Sequence, residues 1–103
     1  MIDAKQAAIA AIAYFQDVMG SEKITDILLE EIELTEDERL WLVTLSGLIP
    51  KAKEELEVDN LSAIAAIMRP LSRWRRVYRM FKLDAANGLV KSMKMRQPDE
   101  RSN

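Results

Sequence analysis

A chain of 103 residues with 49% hydrophobic and 31% charged side chains has the balance of one folded domain and is too short for two separate cores. The absence of cysteine and histidine excludes a disulfide framework, thiolate chemistry, the common zinc ligands and the usual general base near neutral pH. A net charge of −2 conceals a segregation: residues 1–60 carry five Lys/Arg against fourteen Asp/Glu, whereas residues 61–103 carry ten against three.

Residues 3–19 read as an amphipathic helix, because Ala8, Ile9, Ile12, Phe15 and Met19 recur at helical intervals while Gln6 and Asp17 fall on the other side. Gly20 then stops it, as glycine does just past a helix end. The apolar run inside this helix is preceded by Asp3 as well as Lys5, which argues against an export signal. No stretch approaches the ~20 apolar residues of a membrane-spanning helix, so the expected setting is the cytoplasm, with no membrane.

From Ile24 the period shortens. Leu28, Glu30, Ile32 and Leu34 alternate with Ile27, Leu29, Glu31 and Glu33, which suggests a strand; a helix is the rival, since Leu and Glu favour helices. The polar cluster Thr35 to Arg39 leads into "LWLVTLSG", rich in residues that fit a pleated surface, and a hairpin with strands near 27–34 and 40–46 results. Pro50 and the charged run after it suit a short helical insertion, followed by an apolar helix "LSAIAAIM" that Asp59 or Asn60 caps and that ends by Arg69, before Pro70. The segment "LDAANGLV" has the chemistry of a hairpin loop, so Val77–Leu83 and Leu89–Met95 are expected to be antiparallel neighbours.

The expected fold is α+β: a long N-terminal helix on a four-stranded antiparallel meander sheet, with a short helical insertion between strands 2 and 3. Residues 1–96 form this single domain, and 97–103 a flexible C-terminal tail. A leading helix, a strand reading "WLVTL" and a closing hairpin "VYRMFKLDAANGLVKSM" together resemble the cystatin-like and PepSY-like small α+β domains. The resemblance covers about two thirds of the chain and implies a cystatin-like fold; PepSY-like domains are usually proposed to bind or inhibit other proteins, often peptidases.

Little catalytic chemistry is on offer. No serine lies in a Gly-x-Ser-x-Gly turn, and Ser92 and Lys94, two apart on a strand, are what alternation alone produces. The three glycines are too scattered to cradle a phosphate. The acidic run from Glu30 to Glu38 lacks the spaced oxygens and turn glycine of a calcium loop and reads as a solvated strand and turn. These features describe a non-enzyme with no cofactor and no metal.

The strongest functional pointer is "RPLSRWRRVYR", where five arginines accompany Trp74 and Tyr78. Such a mixture suits a protein hot spot, and Arg73, Trp74, Arg75, Arg76, Tyr78 and Arg79 are the candidate partner contacts. The alternative is nucleic-acid binding through the basic segment 69–82, which the acidic half of the chain opposes. On a strand, Trp74, Arg76, Tyr78, Met80 and Lys82 share one side; Arg75, Val77, Arg79, Phe81 and Leu83 share the other, with Leu89, Met93 and Met95, and face the helix. The second strand likewise puts Leu40 and Leu42 on one side and Trp41, Val43 and Leu45 on the other. One helix cannot cover two apolar faces, so either the insertion or a second copy covers the other; the expectation is a homodimer that self-associates through the sheet, with a protein partner of unknown identity.

Overall fold

The computed structural model describes residues 1–50 and 74–96. The expected insertion helices, Arg73 and the tail 97–103 lie outside them. The described residues form one helix, α1 (Ala4–Met19), and four strands, β1 (Thr25–Leu34), β2 (Leu40–Pro50), β3 (Trp74–Asp84) and β4 (Val90–Met95). The strands make an antiparallel sheet in the order β1-β2-β3-β4, an α+β meander.

α1 begins where Asp3 caps it. The Asp3 carboxylate accepts from the Gln6 amide at 2.8 Å and the Gln6 side chain accepts from the Asp3 amide at 2.9 Å, so two otherwise orphaned donors are satisfied reciprocally. It ends at Gly20, whose φ of +89° only glycine adopts readily and whose N–H donates to the Gln16 carbonyl. The buried stripe is Ala7, Ala11 and Phe15, with Ala10, Ile12 and Met19 beside it. Here the expectation from periodicity is corrected: Ile9 points outward and is 57% exposed. Spacing alone does not distinguish a stripe of alanines from one of isoleucines, and small side chains at the contact let the helix axis approach the strands.

Two rows of paired residues run across the helix-facing side of the sheet: Leu34, Trp41, Leu83 and Val90, then Ile32, Val43, Phe81 and Met93. Phe81 lies at the centre, fully buried, with the rings of Phe15 and Tyr14 edge-on at centroid distances of 5.4 and 6.1 Å. Val77, Phe81, Leu83 and Met93 face the helix as alternation requires, while Leu89, just before β4, and Met95, at its end, are exposed.

β1 departs from simple alternation. Ile27 and Ile32 both pack on the core although they stand an odd number of residues apart. The register shows how: Leu29 pairs with Leu45 but Glu31 with Thr44, so Glu30 is an extra residue, and a second shift lies between Thr25 and Leu28. At that second bulge Asp26 takes a left-handed φ of +52°, which aspartate tolerates better than most residues. The consequence of the first is that Glu30 and Glu31 both serve the face away from the helix. Gly47 completes the fit, since a Cβ there would stand 2.6 Å from the Cδ1 atom of buried Ile24.

Both hairpin turns are tied by side chains. In the first, the Thr35 hydroxyl donates to Asp37 at 2.7 Å and the Arg39 amide donates to the same carboxylate. The hydroxyl and then the amide hold the Asp37 carboxyl below its ordinary range. In the second, Asp84 accepts from the Ala86 amide at 2.8 Å, Asn87 accepts from the Leu89 amide, and Gly88 alone takes positive φ, at +79°. The residues before α1 are anchored here too: the Ile2 amide donates to the Ala85 carbonyl at 2.8 Å, and the Trp41 indole donates to the Ile2 carbonyl at 3.2 Å.

Candidate functional site

β3 pairs with β2 along its whole length, from Trp74 opposite Pro50 to Asp84 opposite Leu40, which fixes the side of every candidate residue. Trp74, Arg76 and Tyr78 belong to the face away from α1; Arg75 and Arg79 belong to the helix side. The sequence-predicted contacts are thus divided between two faces.

Arg76 is engaged within the sheet. Its guanidinium reaches across β2, donates to the Ser46 hydroxyl at 2.8 Å and to the Asp26 carbonyl at 3.2 Å, and pairs with the Asp26 carboxylate. Ser46 is fully buried, and its own hydroxyl donates to Glu30 at 2.6 Å. A second arginine does the same one strand further out. Arg96, just past β4, donates to Thr44 at 2.6 Å and to Glu31 at 2.7 Å, so it spans β3 and β2 to reach β1. Together these straps tie β3 and the end of β4 to β1 through the buried hydroxyls of β2, and the bulge at Glu30 brings Glu30 to Ser46 and Glu31 to Arg96 on the same face.

Arg96 was not singled out by reading the sequence. A signal for it existed in the polar Thr44 and Ser46 within an otherwise apolar central strand, because buried hydroxyls require partners. The sequence did not say which cation would supply them.

Arg75 and Arg79 have no carboxylate partner among the described residues. Arg79 is half-buried and donates to the Tyr78 carbonyl at 2.9 Å. Burial first, and the positive charge of Arg75 second, depress the pKa of its guanidinium. With Val77, Tyr78, Met95 and Arg96 they line a cleft of about 140 Å³ at the edge of the sheet, where β4 ends and β3 continues. Trp74, 37% exposed, stands at the start of the same strand.

Other chemistry is thin. The Ser92 hydroxyl is buried with no hydrogen-bond partner among the described residues, Lys94 included. Among the described residues no group of three or more acidic side chains is placed to hold a metal ion. No described helix is long and apolar enough to cross a membrane. The chain matches no protein-family model, no curated protein and no solved structure. What the arrangement can do rests on its surfaces: a cationic sheet edge, and a sheet face whose β1 border is acidic and whose β4 border is basic.

Proposed function

We propose that the protein is a non-catalytic interaction module, of cystatin-like architecture, that pairs with a second copy of itself through the face of the sheet turned away from α1. The observation that carries this reading is the composition of that face. Leu40, Leu42, Leu48, Tyr78 and Met80 are half-buried along its middle, Glu30 and Glu33 lie on β1, and Lys82 and Lys94 lie on β3 and β4. Apolar middles with charged borders are characteristic of contact surfaces.

The charge order selects one symmetry. Sheets stack ~10 Å apart, and a two-fold axis parallel to the strands lays β1 of one copy over β4 of the other, acid above base. An axis across the strands would lay acid on acid. Sedimentation velocity tests the idea: the protein should sediment as a dimer at high micromolar concentration, Lys82→Glu with Lys94→Glu should yield monomers, and mixing these with chains carrying Glu33→Lys, a change that spares the Glu30 carboxylate bound to Ser46, should restore a dimer. A strict monomer at that concentration overturns it.

The nucleic-acid alternative draws less support. Arg76 and Arg96 are committed to carboxylates within the sheet, and the remaining cations are split between its two faces, so a continuous positive track is not formed by the described residues. Retention of random DNA or RNA on a filter, falling steeply with salt, would restore it.

A further inference from the structure

β3 is longer than the strand beside it. β4 pairs with β3 only from Arg79 to Leu83, and the last bond on that side runs from the Arg96 amide to the Tyr78 carbonyl at 3.0 Å. Trp74 to Val77 are paired with β2 on one side and have no strand neighbour among the described residues on the other. Because the Tyr78 carbonyl faces β4, the Arg76 N–H and C=O, two residues away, face the same way, past the end of β4. That edge is about 13 Å long at the usual rise per residue.

Unpaired edges of this kind are templates for a further strand, and proteins that keep them closed do so with bulges, prolines or charge. This one is charged with a single sign. Arg79 is fixed in place by its bond to the Tyr78 carbonyl, Arg75 stands on the same side of the strand, and neither has an acidic partner among the described residues. The cleft of about 140 Å³ between them and Met95 lies directly beside the open backbone. Two like charges held together in a partly desolvated place favour an anion, and alternate side chains of an added strand would point to this same side.

From the open backbone and the two guanidinium groups beside it that have no carboxylate partner among the described residues, we infer that the β3 edge from Trp74 to Val77 binds an extended acidic segment of a partner protein by strand addition, its carboxylates seated on Arg75 and Arg79. Main-chain bonds to Arg76 supply affinity, and the arginines supply selectivity for acidic sequences. The chain's own continuation is a poor occupant: in register past Arg96 opposite Tyr78, Pro98 would stand opposite Arg76, where the ladder needs the N–H that proline lacks. The inference rests on the reading of the protein as an interaction module but uses a different surface from the self-association above.

The test uses the full chain and amide NMR spectra. A short peptide of alternating threonine and glutamate should shift the amides of residues 74–79 and slow hydrogen exchange at Arg76. Its threonine–lysine counterpart should do neither. Arg75 is exposed, so Arg75→Glu preserves the fold, checked by circular dichroism, and should weaken the glutamate peptide by about tenfold. Four results would each overturn the inference: no shifts at millimolar peptide, equal response to the lysine peptide, an unchanged affinity in Arg75→Glu, or binding that requires removal of residues 97–103. Inorganic phosphate that reproduces the whole response, exchange at Arg76 included, would also overturn it, since a free anion cannot extend a ladder. Sedimentation of the same samples reports self-association separately, so one idea can fail without the other.

Discussion

On one side of the sheet Val43, Leu45 and Phe81 are shut away beneath α1; on the other, in the same stretch of strand, Thr44 and Ser46 are buried just as deeply but bonded to Arg96 and Arg76. The first arrangement gains by removing apolar surface from water and is indifferent to salt. The second gains little net energy per bond and loses much if a partner is removed, because a buried hydroxyl or carboxylate is then left without one. Neighbouring residues of one strand are thereby held by interactions that respond to different perturbations.

Breaking the packed side should have the largest effect. Phe81→Ala leaves a cavity where three aromatic rings meet and should cost about 3–5 kcal/mol, read as a fall in the denaturation midpoint in urea. Gly47→Ala forces Ile24 out of its place and should cost about 1–3 kcal/mol; trimming Ile24 to valine in the same chain should return part of that loss, since it removes Cδ1, the nearer of the two Ile24 carbons in the clash, and keeps the other. On the polar side Arg96→Met should cost about 1–2 kcal/mol, and in molar salt the gap between this variant and the parent should narrow, which it will not do for Phe81→Ala. A fourth change sharpens the contrast from the turns: Glu38, with φ of +58°, is a left-handed non-glycine residue, and Glu38→Gly should stabilise by about 0.5–1 kcal/mol.

The smallest effect is one of pH. The folded-state pKa of Asp37 is depressed, so its contribution is present above the ordinary carboxylate range and disappears as pH falls through the lowered value. Asp37→Asn should therefore flatten the acid limb of the stability profile slightly and leave stability above neutrality parallel to that of the parent. A steeper acid limb in the variant would contradict the assignment.

Reading the sequence located the helix, both hairpins and the meander because each has a local cause: helical periodicity and a terminal glycine for α1, an Asp-x-x-Asn-Gly run for the last turn, and period-two alternation in β2 and β3. It also grouped Trp41, Val43 and Leu45 on one side of β2 and Val77, Phe81 and Leu83 on the helix side of β3, and the register joins the two groups. β1 resisted, because a bulge inserts one residue without any composition mark, and the choice between Ile9 and the Ala7–Ala11 stripe was decided by how closely helix and sheet approach, a tertiary quantity. The candidate contacts were legible as residue types and not as a surface. Alternation divides Trp74 and Arg76 from Arg75 and Arg79, and only cross-strand distances showed that Arg76 is occupied while Arg79 lacks an acidic partner among the described residues.

The hydrogen bond from the Ile2 amide to the Ala85 carbonyl joins the leading end of α1 to a turn made much later in the chain. During synthesis at about 5–20 residues per second, α1 leaves the ribosome well before the Asp84–Leu89 turn that secures its leading end. Its alanine stripe thus has no completed sheet to rest on for several seconds. Ala7 and Ala11 offer little for another nascent chain to seize during that wait, whereas Phe15, the large side chain of the buried stripe, must stay uncovered until the sheet forms.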